Sequence, residues 1–375
     1  KGKMLEACTS RRTEIVKLLL ERYNSEESGL NTRNEAGNTA FMSACIYGPK
    51  DIVQLLLDRQ NMELNARNND GMTAFMLACI NGNKDIVQLL LPYPNIELNA
   101  REGGNFGLTA FMLACILGIK HIVQLLLTYP NIELNARCTT GMTAFMLACM
   151  NGKKDIVQLL LSYPNIELNA RSNNGTTALM WACMNGKKDI VQLLLLYPSI
   201  EFNVKRHTGM TALMLACIYG DKDIVQLLLS FPNIELNARS NTGWTAFMLA
   251  CLDGHNDVVQ LFLNHTDSNI ELNAINNDGW TAFMWACYNG HKDIVQLLLN
   301  HSDIELNAIN NDRETPFMLA CNYGRTDVVK LLLEHSDPNI ALSAKNNEGW
   351  TSFMSAGCNG HKDVGQLFLN HSDSN

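Results

Sequence analysis

Hydrophobic and polar positions along this chain recur with a period of 34 to 36 residues. Each period opens on a polar, turn-rich stretch such as Arg67-Asn68-Asn69-Asp70-Gly71. Asn, Asp and Gly satisfy or relax the backbone in turns, so this stretch predicts a hairpin-like finger. Thr73 follows as a helix cap. The spacing of Phe75, Ala78 and Cys79 predicts a short helix over 74–81 with those residues on one face. Gly82 ends it, because glycine takes the left-handed conformation without strain. Lys84 and Asp85 open a second helix, where the carboxylate meets the positive end of the helix dipole. Ile86, Val87, Leu89, Leu90 and Leu91 make that helix apolar, and Pro92 and Pro94 stop it.

Self-similarity at this period predicts a solenoid of supersecondary units. Each unit packs only on its neighbours, so a chain of 375 residues can exceed the usual size of a single core. The motif Thr-Ala-(Phe/Leu)-Met-x-Ala-Cys starts at Thr39, Thr73, Thr109, Thr143, Thr177, Thr211, Thr245, Thr281 and Thr351, with Thr315-Pro316-Phe317 as a variant. One glycine column separates the two helices, from Gly48 to Gly360, and another closes most fingers, from Gly37 to Gly349. In these motifs and their register the chain resembles the ankyrin repeat over essentially all of 1–375.

The resemblance implies an all-α ankyrin-repeat solenoid, each repeat a helix-turn-helix plus a finger. Eleven units at about 10 Å each would give a right-handed, curved array roughly 100 Å long. A single domain is expected. Its divergent first repeat covers about 1–33, its central repeats about 34–344 and its weakened last repeat about 345–375. The first repeat has Arg11 where the inter-helix glycine should be, and the last has Ser352, Ser355, Gly357 and Gly365 at positions elsewhere Ala, Leu, Cys and Val. Where the family favours Thr-Pro-Leu-His this chain has Thr-Ala-Phe-Met, which predicts a more apolar helix layer with a methionine column from Met42 to Met354. Extra residues fall in the finger Glu102–Leu108, the stretch Glu21–Leu30 and the loops after Leu263 and Leu333. The near-identity of the units suggests recent expansion, similar to arrays in large DNA viruses, amoebae or their parasites.

Composition excludes more than it identifies. A net charge of −8 argues against a nucleic-acid binder. No apolar run reaches the roughly 18–20 residues of a membrane span, and no signal-like segment opens the chain. The first residue is Lys1, which points to a piece of a longer protein. Ten of the 12 cysteines occupy one column, from Cys8 to Cys321. Equivalent atoms of stacked helices lie about 8–10 Å apart. That is too far for a disulfide and linear where zinc needs four ligands round a point. The column reads as buried packing thiols of a reducing, cytoplasmic compartment. No phosphate loop, zinc signature or paired carboxylate suggests catalysis, a metal or a cofactor. His265, His301, His335 and His371 fall near the ends of second helices, where a cation suits the dipole. The sequons at Asn174, Asn264, Asn300 and Asn370 read as chance matches.

Residues repeated in every unit build the scaffold, so recognition falls to the positions that change. The residue after the finger glycine is mostly apolar: Met72, Leu108, Met142, Met210, Trp244, Trp280 and Trp350. The resemblance implies that this position faces a concave groove. The residue after the cysteine is also apolar, from Ile46 to Tyr288, and packing on the next repeat is an equal alternative there. The residue after Asn-Ala is cationic at Arg33, Arg67, Arg101, Arg137, Arg171, Lys205 and Arg239, then becomes Ile275, Ile309 and Lys345. Pairing with the glutamate column from Glu63 to Glu305 is the alternative to ligand binding. Trp181 and Trp285 replace a first-helix leucine, and repacking of the core is favoured over ligand contact. The asparagines of Leu-Asn-Ala (Asn65, Asn99, Asn135, Asn169, Asn237, Asn273, Asn307) should bond backbone. The resemblance adds that some are substrates of an asparaginyl hydroxylase.

The expected function is a monomeric, non-catalytic protein–protein interaction scaffold. Its groove would hold an extended or helical segment, acidic and apolar, of a protein partner, with no nucleic acid, membrane or cofactor. A structural spacer or spring, and a substrate-recruiting arm of a degradation or signalling protein, are the alternatives.

Overall fold

The computed structural model describes residues 2–22, 30–59, 61–265, 270–335 and 342–372. Among them are 22 helices and no strand, only two isolated bridges, Arg33 with Thr39 and Arg101 with Thr109. The chain divides into two compact units, Lys1–Ile200 and Glu201–Asn375.

Both units repeat one construction. In the first helix Ala144–Met150, the hydroxyl of Thr143 accepts a hydrogen bond from the Met146 amide at 3.3 Å. This satisfies one of the amides that a helix start leaves unpaired. Residues Ala144 to Cys149 are all buried, not one face of them. A first helix within a unit is enclosed by the neighbouring first helices and by its own second helix, and a helix apolar all round is stable only in that setting. The second helix Lys154–Leu161 is one-sided, with Ile156, Val157 and Leu160 buried and Asp155 exposed in the first turn. Met42, Met76, Met112 and Met146 are about 1% exposed in the first unit, so the methionine column is core, whereas Met354 of the last repeat is 54% exposed.

The inter-helix glycines are left-handed, as Gly82 is at φ 71°. Gly48 is the exception, with φ −78° and ψ 159°. Pro49 follows it, and the proline ring excludes helical conformations at the preceding residue. Arg11 takes φ 57° in place of the missing glycine, a cost the divergent first repeat carries.

Fingers are locked to one another by amides. Asn65 donates Nδ2–H to the Asn95 carbonyl at 2.6 Å and accepts at Oδ1 from the Glu97 amide at 3.0 Å. Asn99, Asn135 and Asn273 bridge in the same way, and the Asn237 Oδ1 accepts from the Glu271 amide. The expectation that these asparagines bond backbone holds, with the refinement that the backbone belongs to the next repeat. Within the finger, Asn68 Oδ1 accepts from the amides of Asp70 at 3.1 Å and Met72 at 2.8 Å. The stretch Glu21–Leu30 and the loops after Leu263 and Leu333 lie largely outside the described residues.

Candidate partner-binding surface

In Lys1–Ile200 the irregular positions converge. A cavity of about 660 Å³ opens between the fingers and the first helices of the repeats around residues 106–181. Leu108, Ile116, Met142, Leu147 and Met150 supply apolar wall, and Trp181 closes one side. No lining residue carries a formal charge; the polar groups are Thr139, Thr140, Asn151, Ser172, Asn173 and Asn174. Its most exposed apolar element is Phe106, 59% accessible.

Phe106 is there because of the two inserted residues. The finger Glu102–Leu108 is held by its own carboxylate, whose Oε2 accepts from the Gly104 amide at 2.8 Å. The Thr139 amide donates to the Phe106 carbonyl at 2.9 Å, which ties the inserted finger to the next one. Gly103 sits against Gly71, where a Cβ on Gly71 would come within 2.2 Å of the Gly103 backbone, so neither position admits a side chain. At 176, threonine replaces the methionine, leucine or tryptophan of the column. Thr176 is fully buried, and its Oγ1, like the Trp181 Nε1, is buried without a hydrogen-bond partner. Buried polar atoms are seldom left so.

The apolar column is not evenly exposed. Met72, Leu108, Trp244, Trp280 and Trp350 are half-buried, but Met142 is 6% and Met210 8% exposed. The finger-to-finger bond is the same beside buried and half-buried members, from the Asn173 amide to the Thr140 carbonyl and from the Asn277 amide to the Thr242 carbonyl, so that bond does not set the burial. The column expected to face the groove is thus corrected at Met142 and Met210, which are buried, and its accessible members form separate patches. Met142 still contributes to the cavity wall.

The cationic column has a structural task that its sequence did not reveal. The Arg67 guanidinium donates through Nη1 to the Gly71 carbonyl at 2.9 Å and to the carbonyl of Arg101, the same position one finger on. Arg33, Arg101 and Arg137 repeat the bond to the next rung, and in the second unit Arg239 donates to the Ile275 carbonyl at 2.6 Å. Arg33, Arg137 and Arg239 also pair with Glu63, Glu167 and Glu271, the last at 3.0 Å. Arg171 is exposed. These side chains commit donors to the scaffold, and the pairs with Glu63, Glu167 and Glu271 are those the glutamate column offered as the alternative to ligand binding.

In Glu201–Asn375 the rings gather. Trp285 stacks on Trp280 at 4.2 Å between centroids and lies 4.8 Å from Trp244. Tyr288 meets Trp280 and Trp285 edge-on at 5.3 and 5.6 Å, and Tyr323 lies 4.2 Å from Tyr288. Burial raises the Tyr323 phenol, with a hydrogen bond to Tyr288 and the charges of Tyr288 and Glu314 adding to the shift. Trp285 is half-buried in this row, and its Nε1 lacks a hydrogen-bond partner. It packs among the column rings rather than inside the first-helix layer. Tyr323 was not singled out in the sequence; its aromatic ring one residue before the inter-helix Gly324 was the available signal.

An imidazole column that no repeat motif marks also ties neighbouring repeats. His255, His291 and His361 each follow an inter-helix glycine and reach back through Nε2 to the carbonyls of Ile218, Leu252 and Asn322, all at 2.9 Å. They close the ends of the preceding first helices, a capping role. The cysteine column is buried, and desolvation pushes the Cys8 thiol up to about 12 and raises Cys45, Cys79 and Cys115 further. Such thiols are inert. Among the described residues no three His, Cys, Asp or Glu side chains gather as metal ligands, and no helix is long and apolar enough to cross a membrane.

No curated protein sequence matches the chain. The family model described as ankyrin repeats (3 copies) matches it at residues 4–102, 98–172, 165–240, 233–310 and 304–375. Those matches run through both units, and the helix pairs, caps and interlocked fingers agree with them: the chain belongs to the ankyrin-repeat family, whose members are generally protein–protein interaction modules.

Proposed function

We propose that this chain is a non-catalytic scaffold that binds a segment of a partner protein along its finger and first-helix face, the concave groove of the family. The carrying observation is the cavity of about 660 Å³ in Lys1–Ile200. It is built from the residues that break the repeat: the inserted finger with Phe106, the column residues Leu108 and Met142, and Trp181 in place of leucine. Pockets of roughly 300–1,000 Å³ lined by apolar groups with a few polar ones suit a buried anchor. An uncharged apolar or aromatic side chain of the partner fills it, and Trp and Arg around such an anchor carry most of the affinity. Met142 and Met150 adapt to its shape. The cationic column beside it, from Arg67 to Arg171, favours acidic residues flanking the anchor and acts mainly on association rate.

The test is affinity capture from the source cytoplasm, comparing wild type with Thr140→Trp, which obstructs the cavity mouth from an exposed position. The proteins retained by wild type and lost by the variant are the partners. An identical set with both proteins would refute the cavity as anchor.

A further inference from the structure

The second unit differs from the first in charge as well as in rings. Glu201–Asn375 holds 20 Asp and Glu against 10 Lys and Arg, whereas Lys1–Ile200 holds 17 against 19. The cationic column ends inside the ring row: Arg239 stands in the finger that leads to Trp244, but Ile275 and Ile309, 51% and 54% exposed, stand in the fingers that lead to Trp280 and Glu314. At 314 the apolar column itself becomes a carboxylate. Glu314 is half-buried, and its Oε2 accepts from Asn310 Nδ2 at 3.1 Å while its amide donates to Asn310 Oδ1 at 2.8 Å. Arg313 takes φ 57° in place of the finger glycine to make that turn. Asp278 and Asp312 are exposed at the tips of the same two fingers.

A row of aromatic rings ending in a fixed carboxylate, with further carboxylates beside it, isoleucine at the rung of the fingers of Trp280 and Glu314, and Arg239 of the Trp244 finger already paired with Glu271, favours a cation that can also lie flat. Guanidinium does both: it stacks on aromatic faces and pairs with carboxylates. We propose that the row from Trp244 through Trp285, Trp280, Tyr288 and Tyr323 to Glu314 is the docking surface for an arginine-bearing extended segment of a partner protein. This rests on the protein-binding reading above and adds the sign of the partner's charge in this unit. It departs from the acidic segment expected from the arginine column.

The test uses the full chain and fluorescence anisotropy of labelled nonapeptides alternating arginine with leucine, or glutamate with leucine, and of tetramethylammonium as unlabelled competitor. The arginine peptide should bind at least about tenfold more tightly than the glutamate peptide and weaken as salt rises. Trp280→Ala should weaken it about tenfold or more, and Trp280→Phe should retain most of the binding. Glu314→Gln should weaken it at least about threefold. Glu334→Gln, the same charge change on the second helix Thr326–Glu334 where it pairs with Lys330, should leave it within about twofold. Equal binding of both peptides, or equal effects of Glu314→Gln and Glu334→Gln, overturns the cationic inference. If Trp280→Ala still weakens binding in those cases, the protein-binding reading stands without it. Full displacement by tetramethylammonium would reassign the row to a small ammonium ligand and likewise overturn the proposal.

Discussion

Trp181 and Trp285 occupy the same repeat position, one in each unit, and have opposite surroundings. Trp181 borders a cavity and has no ring contact among the described residues, while Trp285 is held between Trp244 and Trp280 with Tyr288 at its edge. The difference comes from the neighbours in the column after the finger glycine. In the first unit that column gives Met142 and then Thr176, and the small residue leaves space. In the second it gives Trp244 and then Trp280, and the space is filled by rings. One scaffold thus yields a hole in one unit and a wall in the other by changing one column residue in each of two successive repeats. The balance of charge moves with it, near neutral around the hole and acidic around the wall.

The largest expected effect is one the two units should share. Column thiols such as Cys79 and Cys251 are held protonated by burial, whereas in the unfolded chain they ionise near 9.0. The unfolded chain then binds fewer protons above that pH, so stability falls as pH rises through 9.0 toward the raised folded values. Each such thiol contributes up to about 1.4 kcal/mol per pH unit. Urea titrations at pH 7.5 and pH 10 should show both units weakened; resistance of either would mean that its column is not closed to water.

Next is Trp285→Ala, which should cost about 3 kcal/mol, because it empties the centre of a packed row. Trp181→Ala enlarges an existing cavity and should cost about half as much. Equal losses by urea titration would erase the contrast between wall and hole. Arg137→Ala removes donors to the Gly141 and Arg171 carbonyls and a pair with Glu167, and should cost about 1 kcal/mol. Ile275→Arg extends the column by a rung and should return about 0.5 kcal/mol. A gain there would identify the arginines as scaffold; no change in either variant would return them to the solvent. Smallest is a kinetic difference with a thiol reagent: Cys358, exposed in the second unit, should react first. Cys138, buried but lining the cavity, should follow, faster in Phe106→Ala, and the column only on unfolding.

Periodicity carries the fold in this sequence. The helix pairs, the threonine caps, the left-handed glycines and the buried methionine and cysteine columns follow from residues that sit at fixed offsets, because neighbouring repeats impose the same surroundings on each. What did not follow is anything set between repeats by unlike residues. Phe106 could be counted as part of an insertion, but its place on the wall of the same cavity as Trp181 depends on how far the inserted finger leans. For the arginine column the sequence offered ligand binding or pairing with the glutamate column, and the pairs with Glu63, Glu167 and Glu271 are present; the bond to a carbonyl in the next finger leaves no mark in its own repeat. Trp285 looked like core until Trp244 and Trp280 were brought to either side of it.

Hydrogen–deuterium exchange of the chain with and without its captured partner tests the central claim most directly, that recognition lies where the repeat is broken. Protection should appear in the peptides covering 101–108, 138–151 and 172–181, and in those covering 276–288 and 310–323. The second helices Lys154–Leu161 and Lys292–Leu299, which keep the repeat sequence, should exchange as before. Protection confined to those second helices, with the broken positions unchanged, would contradict the account.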